Sequence, residues 1–301
     1  MSSGVLRTAG LGGWLVLCLV ATATPAQLTD RVTTPAHLKV RLVSEASAVA
    51  PGQTFWIGLD FALEPEWHIY WINAGDSGQP PRVTWSAPAG YTVGSIEWPQ
   101  PGRIVDSPTI VDYGYHGNVL LMAPVRAGSS PRPGSSAEIL ADVNWLVCRD
   151  ICVPGNARVS LPVRVAPLAR IDARQHAVFE ATRRRIPKPL PARWKASAEA
   201  SGDTFVIILE TGRAEQAATF FPLEDLQVEN AAPQRVQVFT RGVRLTLKKA
   251  EELRQAPAAL KGVVAFPSGS AFVVNIPVTT HHASSADRRS PRERITGGKL
   301  K

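Results

Sequence analysis

The stretch Ile139-Leu-Ala-Asp-Val-Asn-Trp-Leu-Val-Cys-Arg-Asp-Ile-Cys-Val-Pro-Gly-Asn-Ala-Arg-Val-Ser-Leu-Pro-Val-Arg-Val165 decides how this chain folds. Its second half alternates: Val159, Leu161, Val163 and Val165 point one way, and Arg158, Ser160 and Arg164 the other. That two-residue period belongs to a half-buried antiparallel strand. Residues 139–147 read as a second strand leading in. Between them stand Cys148 and Cys152. In an extended strand, residues four apart lie about 13 Å from each other, whereas a disulfide needs Cα atoms within about 7 Å. If the two are bridged, the backbone must therefore turn. The simplest arrangement is two strands with the cysteines facing each other near the connection. Residues 149–151 then form the tip and Pro154-Gly155 a second turn; a single helical turn would also serve.

The same period recurs on both sides. Phe55, Ile57, Leu59 and Phe61 share a face in 54–61. Segments 38–44, 82–86, 91–98, 113–126 and 137–147 add strand candidates, separated by turn clusters at 74–81 and 129–134. About seven short strands at this spacing predict an immunoglobulin-like β-sandwich over 27–168. The pattern then changes. Ile171, Val178, Phe179 and Ile186 recur at helical spacing, with Asp172 in the first turn and Arg183-Arg-Arg185 in the last, where cations complement the helix dipole. Pro187, Pro189 and Pro191 stop it. This predicts a helical, Pro-rich linker over 169–195. Alternation returns at 204–210, 235–239, 243–247 and 271–278, predicting a second, smaller β domain over 196–278. That domain has neither cysteine nor histidine. The expected class is therefore all-β.

The ends differ from the body. Arg7, the apolar run 11–20 and the small residues of Ala21-Thr-Ala23 or Thr24-Pro-Ala26 predict a signal peptide over 1–26. No other segment is apolar for long enough to cross a bilayer, so the expectation is a periplasmic or otherwise exported, soluble protein that does not span the membrane once the leader is cleaved. The formal charge of +8 is unevenly spread. The tail, 279–301, carries +4 of it and Arg7 one more, leaving +3 for the body. That is too little to argue for a nucleic-acid surface, and no nucleic-acid partner is expected. The tail is rich in Ser, Arg and Gly and predicts disorder.

Of the three cysteines, only Cys148 and Cys152 lie outside the leader. Bridging so short a loop contributes only about 2 kcal/mol by chain entropy. The spacing leaves a static staple and redox exchange both open, and the small loop favours exchange. Exchange needs an accessible thiolate and a second thiol near enough to resolve a mixed disulfide. Arg149 would stabilise a thiolate while Asp150 opposes it, so no strongly lowered thiol pKa is expected. Aromatic residues cluster in 66–81 and 111–117. Core packing accounts for such residues in general, but Tyr70, Trp71, Tyr113 and Tyr115 are candidates to shield a dithiol. A soft-metal reading of the cysteines with His68, His116 and Met122 falls short of four conventionally spaced ligands. The expectation is no metal and no bound cofactor.

Three motifs taken together, 67–81, Tyr113-Gly-Tyr115 and Trp145-Leu-Val-Cys-Arg-Asp-Ile-Cys-Val-Pro154, resemble the N-terminal periplasmic domain of DsbD-type thiol:disulfide interchange proteins, closest to the ScsB-like branch linked to copper tolerance. The resemblance spans about 35–280. It implies an immunoglobulin-like domain with Cys148 and Cys152 as the redox pair and Cys152 as the sulfur that meets partners. It also implies electrons taken from a membrane donor and passed to oxidised exported proteins: thioredoxin-like proteins, disulfide isomerases and cytochrome c maturation factors. DsbD-type chains continue into a membrane domain and a thioredoxin-like domain; this sequence carries neither, so the implied donor acts in trans. A second reading stands beside it: a non-enzymatic immunoglobulin-like binding or adaptor module whose disulfide is structural.

Overall fold

A computed structural model describes residues 37–280; the expected leader and the tail from 281 onward lie outside the described residues. In chain order the first strands are β1 (Leu38–Ser44), β2 (Ala46–Ala48), β3 (Thr54–Leu63), β4 (His68–Gly75), β5 (Arg82–Ser86) and β6 (Tyr91–Val93). They are followed by β7 (Gly102–Ser107), β8 (Ile110–His116), β9 (Asn118–Ala127), β10 (Ser136–Cys148), β11 (Cys152–Arg164) and β12 (Arg170–Ile171). One sheet runs β1-β3-β9-β6; a second runs β11-β10-β4-β8-β7, with β5 also paired to β10. Their inner faces enclose one core, as an immunoglobulin-like β-sandwich requires. Ile57, Leu59 and Phe61 of β3 fill it from one side; Ile69, Trp71, Tyr115, Trp145 and Val147 fill it from the other. Phe61 and Trp145 meet edge to face across the gap, ring centroids 6.2 Å apart.

The helix α1 (Ala173–Arg183) begins where Asp172 caps it, accepting from the Arg174 and Gln175 amides. Asp172 is thus the N-cap residue rather than part of the first turn. Phe179 is fully buried against Leu120 and Met122 on the outer side of β9. That is why Val119 to Ala123 are all buried: β9 has a core on both faces. Glu45, just after β1, accepts a 2.6 Å bond from His176 Nδ1 and pairs with Arg183. The segment expected as a linker is therefore docked.

The remaining strands are β13 (Lys188–Pro189), β14 (Lys195–Ser201), β15 (Thr204–Glu210), β16 (Thr219–Pro222), β17 (Arg235–Phe239), β18 (Gly242–Lys248), β19 (Ala259–Ala265) and β20 (Ala271–Thr280). They form one curled sheet, β16-β19-β20-β14-β15-β18-β17, with β13 on β20. Its core holds Phe205, Ile207, Phe220, Leu245 and Ile276. Adjacent phenylalanines of β16 divide between the two cores. Phe220 enters this one, while Phe221 inserts beside Trp71 and Tyr113 of the sandwich, at centroid distances of 6.3 and 5.4 Å.

Candidate functional site

Strands β10 and β11 pair without interruption from Ser136↔Arg164 to Cys148↔Cys152. The two cysteines are the last cross-strand pair before the tip, 149–151, and their sulfurs are bonded, with Cα atoms 4.2 Å apart. Cys148 is 2 % exposed, whereas Cys152 is exposed. Pro154-Gly155 is not a second turn. Both residues lie in register, opposite Leu146 and Trp145. Proline is tolerated there because β11 is an edge strand, where an N–H facing outward is dispensable. Glycine fits because the Trp145 indole lies against it: a Cβ at 155 would come within 2.6 Å of the ring.

Strand parity decides what surrounds the pair. Residues directly opposite each other in a sheet project to the same face, and successive residues alternate. Cys148 pairs with His68, and His68 with His116. His68, Tyr70, Asp112 and His116 therefore share the outer face with the disulfide. Ile69, Trp71, Tyr113 and Tyr115 turn inward to the core. Of the four aromatics expected as shields, Tyr70 reaches the bridge: its Oη lies 3.5 Å from Cys152 Sγ. Trp71 and Tyr113 instead pack on Phe221. The Tyr113 hydroxyl donates to Asn230 Oδ1 at 2.9 Å, and that of Tyr115 to the Pro99 carbonyl at 2.7 Å.

The segment after β4 covers Tyr70. Gly78, at φ +72°, lies so close that a Cβ there would sit 2.0 Å from the phenol ring. Ser77 holds this segment to β8, donating from its amide and hydroxyl to the two oxygens of Asp112 at 2.8 and 2.6 Å. Asp76 adds a 2.8 Å bond from the Val111 amide. Burial pushes the Tyr70 phenol up to about 12, so it stays protonated and able to donate to sulfur. Burial, helped by the neighbouring His116, brings His68 down to about 4, leaving a neutral imidazole at neutral pH. Burial also raises the Asp112 carboxyl, against the Ser77 hydrogen bonds, with Asp106 adding to the rise.

Arg149 does not serve the sulfurs as a free cation. Its Nε bonds Asp150 Oδ2 at 2.8 Å, its Nη1 lies 3.9 Å from Glu66, and its guanidinium stacks 5.2 Å over Trp67. His37 stacks on Trp67 at 3.6 Å. The tip also presents Ile151, which is 66 % exposed. Beside the hairpin runs a groove of about 350 Å³, lined by Gln79, Arg82, Asn144, Leu146 and Asn156 among others. Ser77, Gly78 and Asp112 are the residues of this face that sequence reading left out, and His68 entered it only as a candidate soft-metal ligand. Parity counted from the cysteines across β4 and β8 would have found His68 and Asp112, had the registers been known.

The sandwich thus carries on its outer sheet face a disulfide with one sulfur exposed and a tyrosine hydroxyl 3.5 Å from it. Residues 39–164 match the family model described as "Thiol:disulfide interchange protein DsbD, N-terminal". The N-terminal periplasmic domain of ScsB from Proteus mirabilis is similar in fold, with a TM-score of 0.62 at 15% identity over 83% of this chain and 96% of that one. The chaperones YadV and SfaE align over 78% and 79% of this chain, and 98% and 99% of theirs, at 9% and 8% identity, both with a TM-score of 0.22. No curated protein matches in sequence. No helix among the described residues is long and apolar enough to cross a membrane.

Proposed function

We propose that this chain is an exported thiol–disulfide exchange protein that cycles Cys148 and Cys152 between disulfide and dithiol and passes electrons to oxidised periplasmic proteins. The asymmetry of the two sulfurs carries the reading: one is buried, and the other is open beside a phenol. A donor in trans supplies two electrons and two protons are taken up, opening the bridge. The Cys152 thiolate attacks one sulfur of a recipient disulfide; that S–S bond breaks, and the recipient's other sulfur leaves as a thiolate. Cys148, deprotonated, then attacks Cys152 Sγ. The mixed disulfide breaks, the recipient's second thiol departs and the Cys148–Cys152 bridge re-forms. The Tyr70 hydroxyl stabilises the Cys152 thiolate. The amides of Gln79, Asn144 and Asn156 offer hydrogen bonds to the backbone flanking a recipient's cysteine. Thioredoxin-like and isomerase proteins are the recipients implied by the family.

A purely structural bridge fits less well. The hairpin is already held by the full β10–β11 ladder, to which the bridge adds only about 2 kcal/mol. The test is equilibration of the folded protein with glutathione or dithiothreitol. The expected midpoint lies above about −300 mV, where structural disulfides are rarely found. With Cys148→Ser, Cys152 is expected to accumulate mixed disulfides with recipients. A bridge that opens only on unfolding would reject the proposal in favour of an adaptor module.

A further inference from the structure

Behind the disulfide lies a second cluster that the exchange chemistry does not use. An imidazole nitrogen of His68 and one carboxylate oxygen from each of Asp106 and Asp112 all fall within 4.8 Å of one another. We infer that His68, Asp106 and Asp112 form a binding site for a divalent transition cation, with zinc the best fit. The inference is independent of whether the cysteines cycle.

Three observations support it. First, His68 is 2 % exposed and its Nε2 has no hydrogen-bond partner in the protein. A buried, unpaired polar nitrogen is costly unless something occupies it. Second, Asp112 is fully buried, and Ser77 bonds both its oxygens as donor, orienting the carboxylate as an outer-shell partner orients a metal ligand. Third, Asp106 is the extra residue of a β-bulge: Val105 pairs with Val111 and Ser107 with Ile110, leaving Asp106 unpaired between them. Bulges re-aim side chains, and this one places an exposed carboxylate at the mouth of the cluster.

The donor set selects the ion. Two carboxylates and an imidazole bring two negative charges and one neutral nitrogen, a set that suits zinc and its first-row neighbours rather than magnesium or calcium. Around a tetrahedral zinc, with bonds of about 2.0–2.2 Å, ligand atoms stand about 3.3 Å apart. The cluster closes to that spacing by movement of the exposed Asp106, and the fourth position is open to water. A proton shared between the two carboxylates would satisfy them but leave the imidazole nitrogen unpaired; a cation engages all three groups. The other His–carboxylate cluster, Glu45, His176 and Glu180, lacks this need, because the Arg183 guanidinium already lies between its carboxylates.

The test uses the full chain, chelator-washed and fully oxidised so that no thiolate competes, in a His281→Ala/His282→Ala background that removes the tail histidines. Calorimetric titration with zinc chloride is expected to show one ion per chain at micromolar affinity. Asp106→Asn, a change at an exposed position, should weaken it about tenfold or more. Cobalt(II) should give a visible d–d band and shift the ring resonances of His68, both lost in Asp106→Asn and His68→Gln. The absence of any saturable site at millimolar zinc would overturn the inference. So would affinity unchanged by both Asp106→Asn and Asp112→Asn.

Discussion

Gly78 shows how tightly one position is constrained. Its φ of +72° is left-handed, and any Cβ would enter the ring of Tyr70. The conformation alone costs an alanine about 1–2 kcal/mol, and the overlap must be relieved by moving either the loop or the phenol. Gly78→Ala is therefore expected to destabilise the fold by about 2–3 kcal/mol, enough to lower Tm by about 4–12 °C at this size. Differential scanning calorimetry measures this directly, and an unchanged Tm would contradict the close packing. At this scale the sequence revealed the cysteines and little else of the site. Tyr70 and Trp71 are neighbours of similar character, yet one touches sulfur and the other Phe221. Only the register of β4 against β10 separates them, and register depends on residues far apart in the chain.

Elements were more legible where a single face is buried. β1, β5 and β15 fall where alternation or composition placed them, and so does β17, although all of its residues are exposed. β4 was hidden because His68 to Trp71 are all buried, on alternating faces, so no period shows. β8 and β9 read as one segment because strand-forming residues continue through Gly117, whose φ of +68° makes the turn. The helix was visible, but its anchor was not: Glu45 lies far away in sequence. Its carboxylate is held below the usual range, first by the Arg183 hydrogen bond and then by His176, against the cost of burial. A depressed carboxylate stabilises the fold above its unfolded pKa and loses that contribution as pH falls through the folded one. At pH 7, Glu45→Gln should cost about 1–3 kcal/mol. The gap between wild type and variant should shrink as pH drops below about 4.5, the ordinary glutamate range. Urea unfolding of both proteins from pH 7 to pH 3 follows it; a gap constant with pH would show that the ion pair does not anchor α1.

For the whole molecule, the joint between the sandwich and the last sheet matters most. Phe221 plugs the sandwich core, Asn73 donates to the Pro222 carbonyl at 3.0 Å, and Asn230 is bonded by Asp76, Arg103 and Tyr113. Phe221→Ala empties a site lined by Trp71 and Tyr113 and should cost about 3–5 kcal/mol. Because those rings face away from the disulfide, the same variant should leave the midpoint potential of Cys148–Cys152 unchanged. Chemical denaturation and a redox titration on one preparation read both quantities. A shifted potential would mean that the two faces of the sheet are coupled. No periodicity in 219–222 announced this joint, since two adjacent phenylalanines serving different cores look the same as one apolar run.

Pro154 and Pro162 sit eight positions apart on β11, at the rim of its sheet, so their nitrogens share one direction. That direction must be outward, since the inward row is committed to β10. A visiting polypeptide therefore finds gaps where main-chain donors would be needed to zip alongside. It can engage the molecule end-on, through the hairpin's point, and let go again, which suits brief encounters rather than lasting assembly.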